Sequence, residues 1–131
     1  MFDYRRLPLK LPMIRSHHFS AILTTTADLM LLTGTDWLDL LKATVHQVGL
    51  HCVGEVLVTF NPQGISVVLV LEESHIALHI WTESQKVAVD IHVCDYYQDN
   101  RPKAEQLADL LTVKICGDHD RGQWNYLLAT G

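Results

Sequence analysis

Two stretches of the chain repeat their apolar residues with the period of a helix. Between positions 35 and 50 apolar residues recur at spacings of three and four, at Leu38, Leu41, Val45 and Val48. This spacing predicts an amphipathic helix that Thr35 or Asp36 can cap and Gly49 can close. A second helix is predicted over 102–111, with an inner side of Ala104, Leu107, Ala108 and Leu111.

Shorter apolar segments bounded by turn-forming residues predict strands. They run over 16–25, 51–60, 65–71, 76–81, 87–93 and 113–117. The tail through Trp124 and Tyr126 is expected to pack beside the last strand. The order β-α-β-β-β-β-α-β predicts an α+β fold: a two-layer α/β sandwich with a largely antiparallel sheet and two helices on one face. The other face is then partly uncovered, which favours a dimer.

Composition and charge narrow the class of protein. The chain has 131 residues, 48% hydrophobic and 19% charged, so we expect a single domain over 1–131 with 1–15 as an N-terminal arm. The net charge of −5 comes without a basic stripe, so nucleic acid is not an expected partner. No apolar run approaches the length of a membrane span, and no signal peptide is expected. Three cysteines, an odd number without a secretory signal, indicate reduced thiols in the cytoplasm, and the absence of a C-x-x-C pair argues against a structural zinc site.

The hairpin predicted over 76–93 has two dissimilar faces, because side chains alternate along a strand. One face is entirely apolar: Ile76, Leu78, Ile80, Val87, Val89, Ile91 and Val93. The opposite face consists of His75, Ala77, His79, Trp81, Lys86, Ala88, Asp90, His92 and Cys94. A face that merely meets water more often has Lys, Thr and Glu, so this clustering favours a chemical role.

Three kinds of chemistry fit these residues. A metal site could use His75, His79 and His92, although their spacing matches no known motif. A thiol enzyme could pair Cys94 with a histidine. In the third interpretation Ser74, which follows two glutamates, attacks the backbone of its own chain.

An ordered set of residues along the chain matches a known family. The set is Gly64, Ser66, Glu73, Ser74, His75, His79, Trp81, Glu83, Asp90 and Cys94. It resembles the prokaryotic S-adenosylmethionine decarboxylases, which are small pyruvoyl-dependent enzymes of polyamine synthesis. The similarity covers roughly 16–111, and His18 also falls where the family has a histidine in its first strand.

The resemblance implies autocatalytic cleavage of a zymogen between Glu73 and Ser74. The products would be a β chain, 1–73, and an α chain, 74–131, whose first residue becomes the pyruvoyl cofactor. That cofactor would form a Schiff base with the substrate amine and accept electrons when carbon dioxide leaves.

The resemblance also implies roles for three further residues. Ser66 and His79 would assist processing, and Cys94 would return the proton to the substrate. The protein would then be a carboxy-lyase that decarboxylates S-adenosylmethionine to the aminopropyl donor for spermidine. It would act as a homodimer of cleaved units.

Substrate contacts follow from two aligned positions. Phe60 aligns with a family phenylalanine that stacks on adenine, and Glu83 with an acid that binds the ribose hydroxyls. The pocket departs from the family pattern at four positions: Val58, Thr59, Thr82 and Asp95.

These departures leave two alternatives open. The first is a pyruvoyl-dependent ornithine or arginine decarboxylase on the same fold, in which Asp90, Asp95 or Glu83 meets the distal cation of the substrate. The second is an unprocessed homologue that only binds a partner or a metal.

The alternation of side chains between the two faces of the hairpin raises a question about the orientation of Ser74. Strict alternation puts Ser74 on the face opposite His79. Either the strand is irregular at Glu73 and Ser74, or regular pairing starts only at His75.

Overall fold

The structure, a computed structural model, describes residues 13–118 and 122–131. Its strands are β1 (Arg15–Thr24), β2 (Cys52–Thr59), β3 (Ile65–Leu71), β4 (Ser74–Trp81), β5 (Lys86–Cys94) and β6 (Asn125–Thr130). Its helices are α1 (Gly34–Gln47), α2 (Arg101–Cys116) and a short 3₁₀ helix, Ala27–Leu31. Residues 1–12 of the predicted arm lie outside the described residues. Arg15, also assigned to the arm, is instead the first residue of β1.

The six strands form one antiparallel sheet in the order β2-β3-β4-β5-β1-β6. Helix α1 packs on β2 and β3, and α2 packs on β1 and β5. The two helices also contact each other, so they cover the same face. The predicted α+β fold, a sheet with both helices on one side, is therefore confirmed. In the described residues, no helix combines the length and the hydropathy that a membrane span requires.

The first helix begins earlier than predicted. Its cap is Thr33, whose side chain accepts a hydrogen bond from the N–H of Asp36 at 3.1 Å, while Asp36 accepts one from the N–H of Thr33 at 2.9 Å. This reciprocal arrangement satisfies two backbone donors, which neither predicted cap achieves. Gly49 follows the helix with a φ of 81°, as its predicted closing role requires.

The second helix is longer than predicted, and the strand predicted over 113–117 is wrong. The stripe that faces the sheet continues through Thr112 and Ile115, both fully buried, and the helix ends before Gly117, whose φ is 79°. The last strand is formed by the tail itself. The indole N–H of Trp124 donates to the hydroxyl of Thr112 at 2.8 Å, which joins this tail to α2.

The two faces of the sheet differ as the alternation predicts. The inner face and the helices share one core of apolar side chains. The outer face contains polar side chains among exposed apolar ones: Ile22, Val56, Val58, Val70, Trp81 and Leu127. No element of the described chain covers this outer face.

Candidate active site

Ser74 stands at the tip of the hairpin between β3 and β4. It pairs with Leu71, so Glu72 and Glu73 alone form the turn. Glu73 has a φ of 55°, a left-handed conformation that favours glycine and costs a residue with a side chain about 1 kcal/mol. Regular pairing therefore starts at Ser74 itself, and the irregularity lies one residue earlier. The expectation that regular pairing starts only at His75 is therefore wrong.

The hydroxyl of Ser74 is buried and held by the neighbouring strand. Ser74 is 8% exposed, on the same side of β4 as Ile76. The backbone N–H of Cys94, at the end of β5, donates to its oxygen at 3.0 Å. Because this contact uses the oxygen as the acceptor, the hydroxyl proton remains free to leave towards a base.

The end of the sheet around this contact opens on a groove of about 710 Å³. Glu73 and Cys94 both line it, together with Tyr96 and Tyr97. Ligand sites commonly have volumes of about 300 to 1,000 Å³. Glu73, whose carbonyl belongs to the peptide bond before Ser74, therefore borders a space large enough for a small molecule. The side chain of Ser74 lines a separate cavity of about 100 Å³ on the inner side of the sheet, together with Glu72 and Asn100.

Three histidines form a row across the outer face beside Cys94. His75 of β4 is the direct cross-strand partner of His92 of β5, which in turn faces His18 of β1. The His75 and His92 rings are nearly parallel, with centroids 4.6 Å apart, and the His18 ring is perpendicular to that of His92 at 4.2 Å. We call these three residues the histidine row.

Ser16 and Cys94 contact the middle of the histidine row. The Ser16 hydroxyl lies 2.7 Å from His18 Nε2 and 3.1 Å from His92 Nε2. Cys94 Sγ lies 3.4 Å from the same His92 nitrogen. Burial lowers the pKa of His92, and the neighbouring imidazoles of His18 and His75 lower it further, so the ring favours its neutral form.

The residue after Cys94 belongs to a partly buried hydrogen-bond network. Asp95 Oδ1 accepts from His17 Nε2 at 2.8 Å and from the N–H of Asn100 at 2.9 Å, while His17 Nδ1 contacts the Tyr126 hydroxyl at 2.7 Å. Burial by itself would raise the pKa of Asp95, but the bonds from Asn100 and His17 outweigh it and hold that pKa below its ordinary value. His17, Asp95 and Asp99 lie close enough to act as metal ligands, yet both nitrogens of His17 are already engaged.

The other predicted site residues lie at the far end of β4. Ser66 Oγ and His79 Nδ1 are 2.8 Å apart on the outer face. Both line a cavity of about 430 Å³ with Phe60 and Glu83. His79 follows Ser74 by five strand positions, which corresponds to about 16 Å within one protomer.

The predicted site is thus divided into two groups. One group contains Glu73, Ser74 and Cys94, and the second contains Phe60, Ser66, His79 and Glu83.

The three histidines considered as metal ligands do not come together within one protomer. His79 lies at the far end of β4, away from His75 and His92.

Ser16 and His17 were not predicted as site residues. Their positions in β1 identify their faces, but only the register of β1 on β5 shows that they approach His92 and Asp95.

Comparisons with known proteins identify relatives of most of this chain. The family model described as S-adenosylmethionine decarboxylase matches residues 25–119. The S-adenosylmethionine decarboxylase proenzyme of Symbiobacterium thermophilum is 35% identical over 81 residues, 59% of this chain and 61% of that protein. The proenzyme of Clostridium botulinum strain Langeland is 31% identical over 84 residues, 63% of this chain and 72% of that protein.

A solved structure has the same fold. The crystal structure of the adenosylmethionine decarboxylase from Aquifex aeolicus superposes with a TM-score of 0.68 and covers 91% of each chain. The two sequences are 20% identical, so this likeness concerns the architecture alone.

Proposed function

The chain belongs to the S-adenosylmethionine decarboxylase family, and on that premise we propose that it is a self-processing carboxy-lyase that decarboxylates S-adenosylmethionine to the aminopropyl donor for spermidine. The observation that carries the proposal is the contact between Ser74 and Cys94, beside the left-handed Glu73. This contact joins the proposed nucleophile to the residue proposed as the proton donor. The name proenzyme, which the curated relatives have, supports a processing step.

Processing would use the hydroxyl of Ser74 as an internal nucleophile. The oxygen adds to the carbonyl carbon of Glu73, the peptide C–N bond breaks, and an ester and a free amino group result. Elimination then releases the carboxylate of Glu73, and hydrolysis of the remaining enamine releases ammonia and leaves a pyruvoyl group. Turn strain of about 1 kcal/mol is small beside the barrier to breaking an amide, so donors to the developing oxyanion must contribute most of the acceleration.

The residues present fit a pyruvoyl group at position 74. Cleavage detaches residue 74 from the turn, and the groove beside Glu73 and Cys94 then provides space for a substrate. The group would supply a carbonyl that accepts electrons when carbon dioxide leaves. Cys94 lies at the same end of the sheet, where its thiol would deliver a proton to the substrate.

A second copy of the chain would complete the site. His79 is about 16 Å from Ser74 along β4, and Ser66 lies beside His79 on the neighbouring strand β3. Both are too far from Ser74 to assist its cleavage within a protomer. The outer face exposes apolar side chains that association with another such face would bury. We therefore include in the proposal a homodimer in which the Phe60 and His79 cavity of one protomer meets the groove beside Glu73 and Cys94 of its partner.

The remaining expectations belong to the same proposal. A single domain over 1–131 would be cut into 1–73 and 74–131. A cytoplasmic location would suit it, because Cys94 has to remain a reduced thiol to act as an acid.

S-adenosylmethionine is preferred over a basic amino acid as the substrate. The curated relatives are named for it. Asp95, one of the acids considered for a distal cation, already accepts two hydrogen bonds on Oδ1 from within the protein.

Intact-mass spectrometry of the purified protein tests the proposal. Fragments matching 1–73 and 74–131 are expected, the second with a pyruvoyl group at its start, and Ser74→Ala should abolish them. Ser84→Ala, an exposed turn serine, is the matched control. Release of carbon dioxide from S-adenosylmethionine, and not from ornithine or arginine, completes the test. A stable full-length species without decarboxylase activity contradicts the proposal.

A further inference from the structure

The thiol of Cys94 contacts the nitrogen of an imidazole. Its Sγ lies 3.4 Å from His92 Nε2, and the opposite ring nitrogen, Nδ1, lies 3.3 Å from Nδ1 of His18. His92 therefore stands between the proposed proton donor and a second imidazole. Each of its two nitrogens faces one of these neighbours.

One assignment of hydrogens is compatible with neutral rings and with the contacts of His92 to His18 and Cys94. The Ser16 hydroxyl donates to His18 Nε2, and His18 Nδ1–H donates to His92 Nδ1. His92 Nε2–H then points at the Ser16 oxygen and at Cys94 Sγ. A neutral imidazole can accept at one nitrogen while it donates at the other, so this arrangement is suited to passing a proton through the ring.

The groups that face His92 favour its neutral form. His18 on β1 and His75 on β4 flank it, and Asp90 and Cys94 lie on its own strand. Asp90 alone favours the charged ring, and it is outweighed by burial and the two imidazoles. A neutral His92 has one N–H to donate and one nitrogen free to accept, which a relay through the ring requires.

We propose that His92 is a proton-relay residue that returns a proton to Cys94 after each decarboxylation, an inference that rests on the proposed function. Cys94 gives its S–H proton to the substrate carbon, and the thiolate takes the proton of His92 Nε2. His92 Nδ1 receives a proton from His18, which is replenished from water. One proton enters for each carbon dioxide released, so the cycle balances.

The contact is tested first without any cofactor, in the uncleaved Ser74→Ala chain. The rate of alkylation of Cys94 is followed against pH by peptide mass spectrometry, which separates it from the other cysteines. The replacement His92→Phe removes the Nε2–H donor and should destabilise the Cys94 thiolate. The pH at which the alkylation rate reaches half its maximum, the midpoint, should therefore rise by about one pH unit. His46→Phe, at an exposed histidine of α1, should leave it unchanged. An unshifted midpoint in His92→Phe overturns the relay.

Turnover of the processed enzyme provides the second test. His92→Ala should lower kcat about tenfold to a hundredfold, with KM for S-adenosylmethionine little changed. Added imidazole should restore a large part of the loss, which no purely structural role explains. Wild-type kcat in His92→Ala, or a loss that imidazole does not relieve, overturns the relay.

The two tests separate this inference from the function on which it rests. If the wild-type chain neither cleaves nor decarboxylates, the proposed function fails and the relay fails with it. If the wild-type chain is cleaved and decarboxylates its substrate, but His92→Phe does not shift the midpoint of Cys94 alkylation, only the relay fails.

Discussion

The backbone N–H of Cys94 donates to the hydroxyl oxygen of Ser74 at 3.0 Å, across the ends of β5 and β4. The contact involves the main chain of Cys94, whereas its thiol lies on the outer face beside His92. Backbone and side chain of one residue can therefore serve two different steps. The main-chain donor is available during processing, and the thiol is available during turnover.

Replacement of Cys94 should separate these two steps. Cys94→Ala keeps the N–H that contacts Ser74, so most of the cleavage should persist. Removal of the acid should reduce kcat by about a hundredfold or more. Intact mass measures the first step and carbon dioxide release the second, and Cys116→Ala provides the cysteine control. Normal turnover in Cys94→Ala would refute the acid role.

Mixed dimers should reveal where Ser66 and His79 act. Ser74→Ala and His79→Ala should each remain uncleaved when expressed alone. When the two chains are co-expressed, the His79→Ala chain should be cleaved, because the partner supplies an intact His79. Differently tagged chains allow each one to be followed by mass. A mixture in which neither chain is cut contradicts the shared site.

The cavity at the far end of β4 should determine substrate affinity. Phe60→Ala and Glu83→Gln should raise KM for S-adenosylmethionine about tenfold or more and leave processing intact, since both residues line the cavity and are exposed. Leu31→Ala, at an exposed residue of the 3₁₀ helix, should change neither quantity. An unchanged KM in both cavity variants would remove these residues from the substrate site.

Asp95 should make stability dependent on acid pH. Because its pKa in the folded protein lies below the ordinary value, its contribution is present at pH values above about 4 and is lost as the pH falls through the folded-state pKa. At pH 7 Asp95→Asn should lower the free energy of unfolding by about 1 to 2 kcal/mol. Urea titrations should show the difference shrinking at pH values below about 4. Asp39→Asn, exposed on α1, is the control, and a pH-independent difference would contradict the argument.

Local pattern was sufficient for most of the architecture. The side-chain period of a strand is two, so the faces of the hairpin, including Ser74 opposite His79, could be predicted without knowledge of any neighbour. The segment 113–117 was mistaken for a strand because a short apolar run fits a buried helix equally well. The segment is helical in the structure because Ile115, on the inner side of α2, packs into the core.

The sequence by itself determined the order of the elements, the two unlike faces of the sheet and the ordered set of residues that points to the family. Only the tertiary structure decided which of those residues meet. The register of β5 on β4 and β1 brings Cys94 to Ser74 and His92 to His18, while the length of β4 keeps His79 away from both. Register depends on pairing between segments far apart in the chain, and the pattern within a single segment carries little information about it.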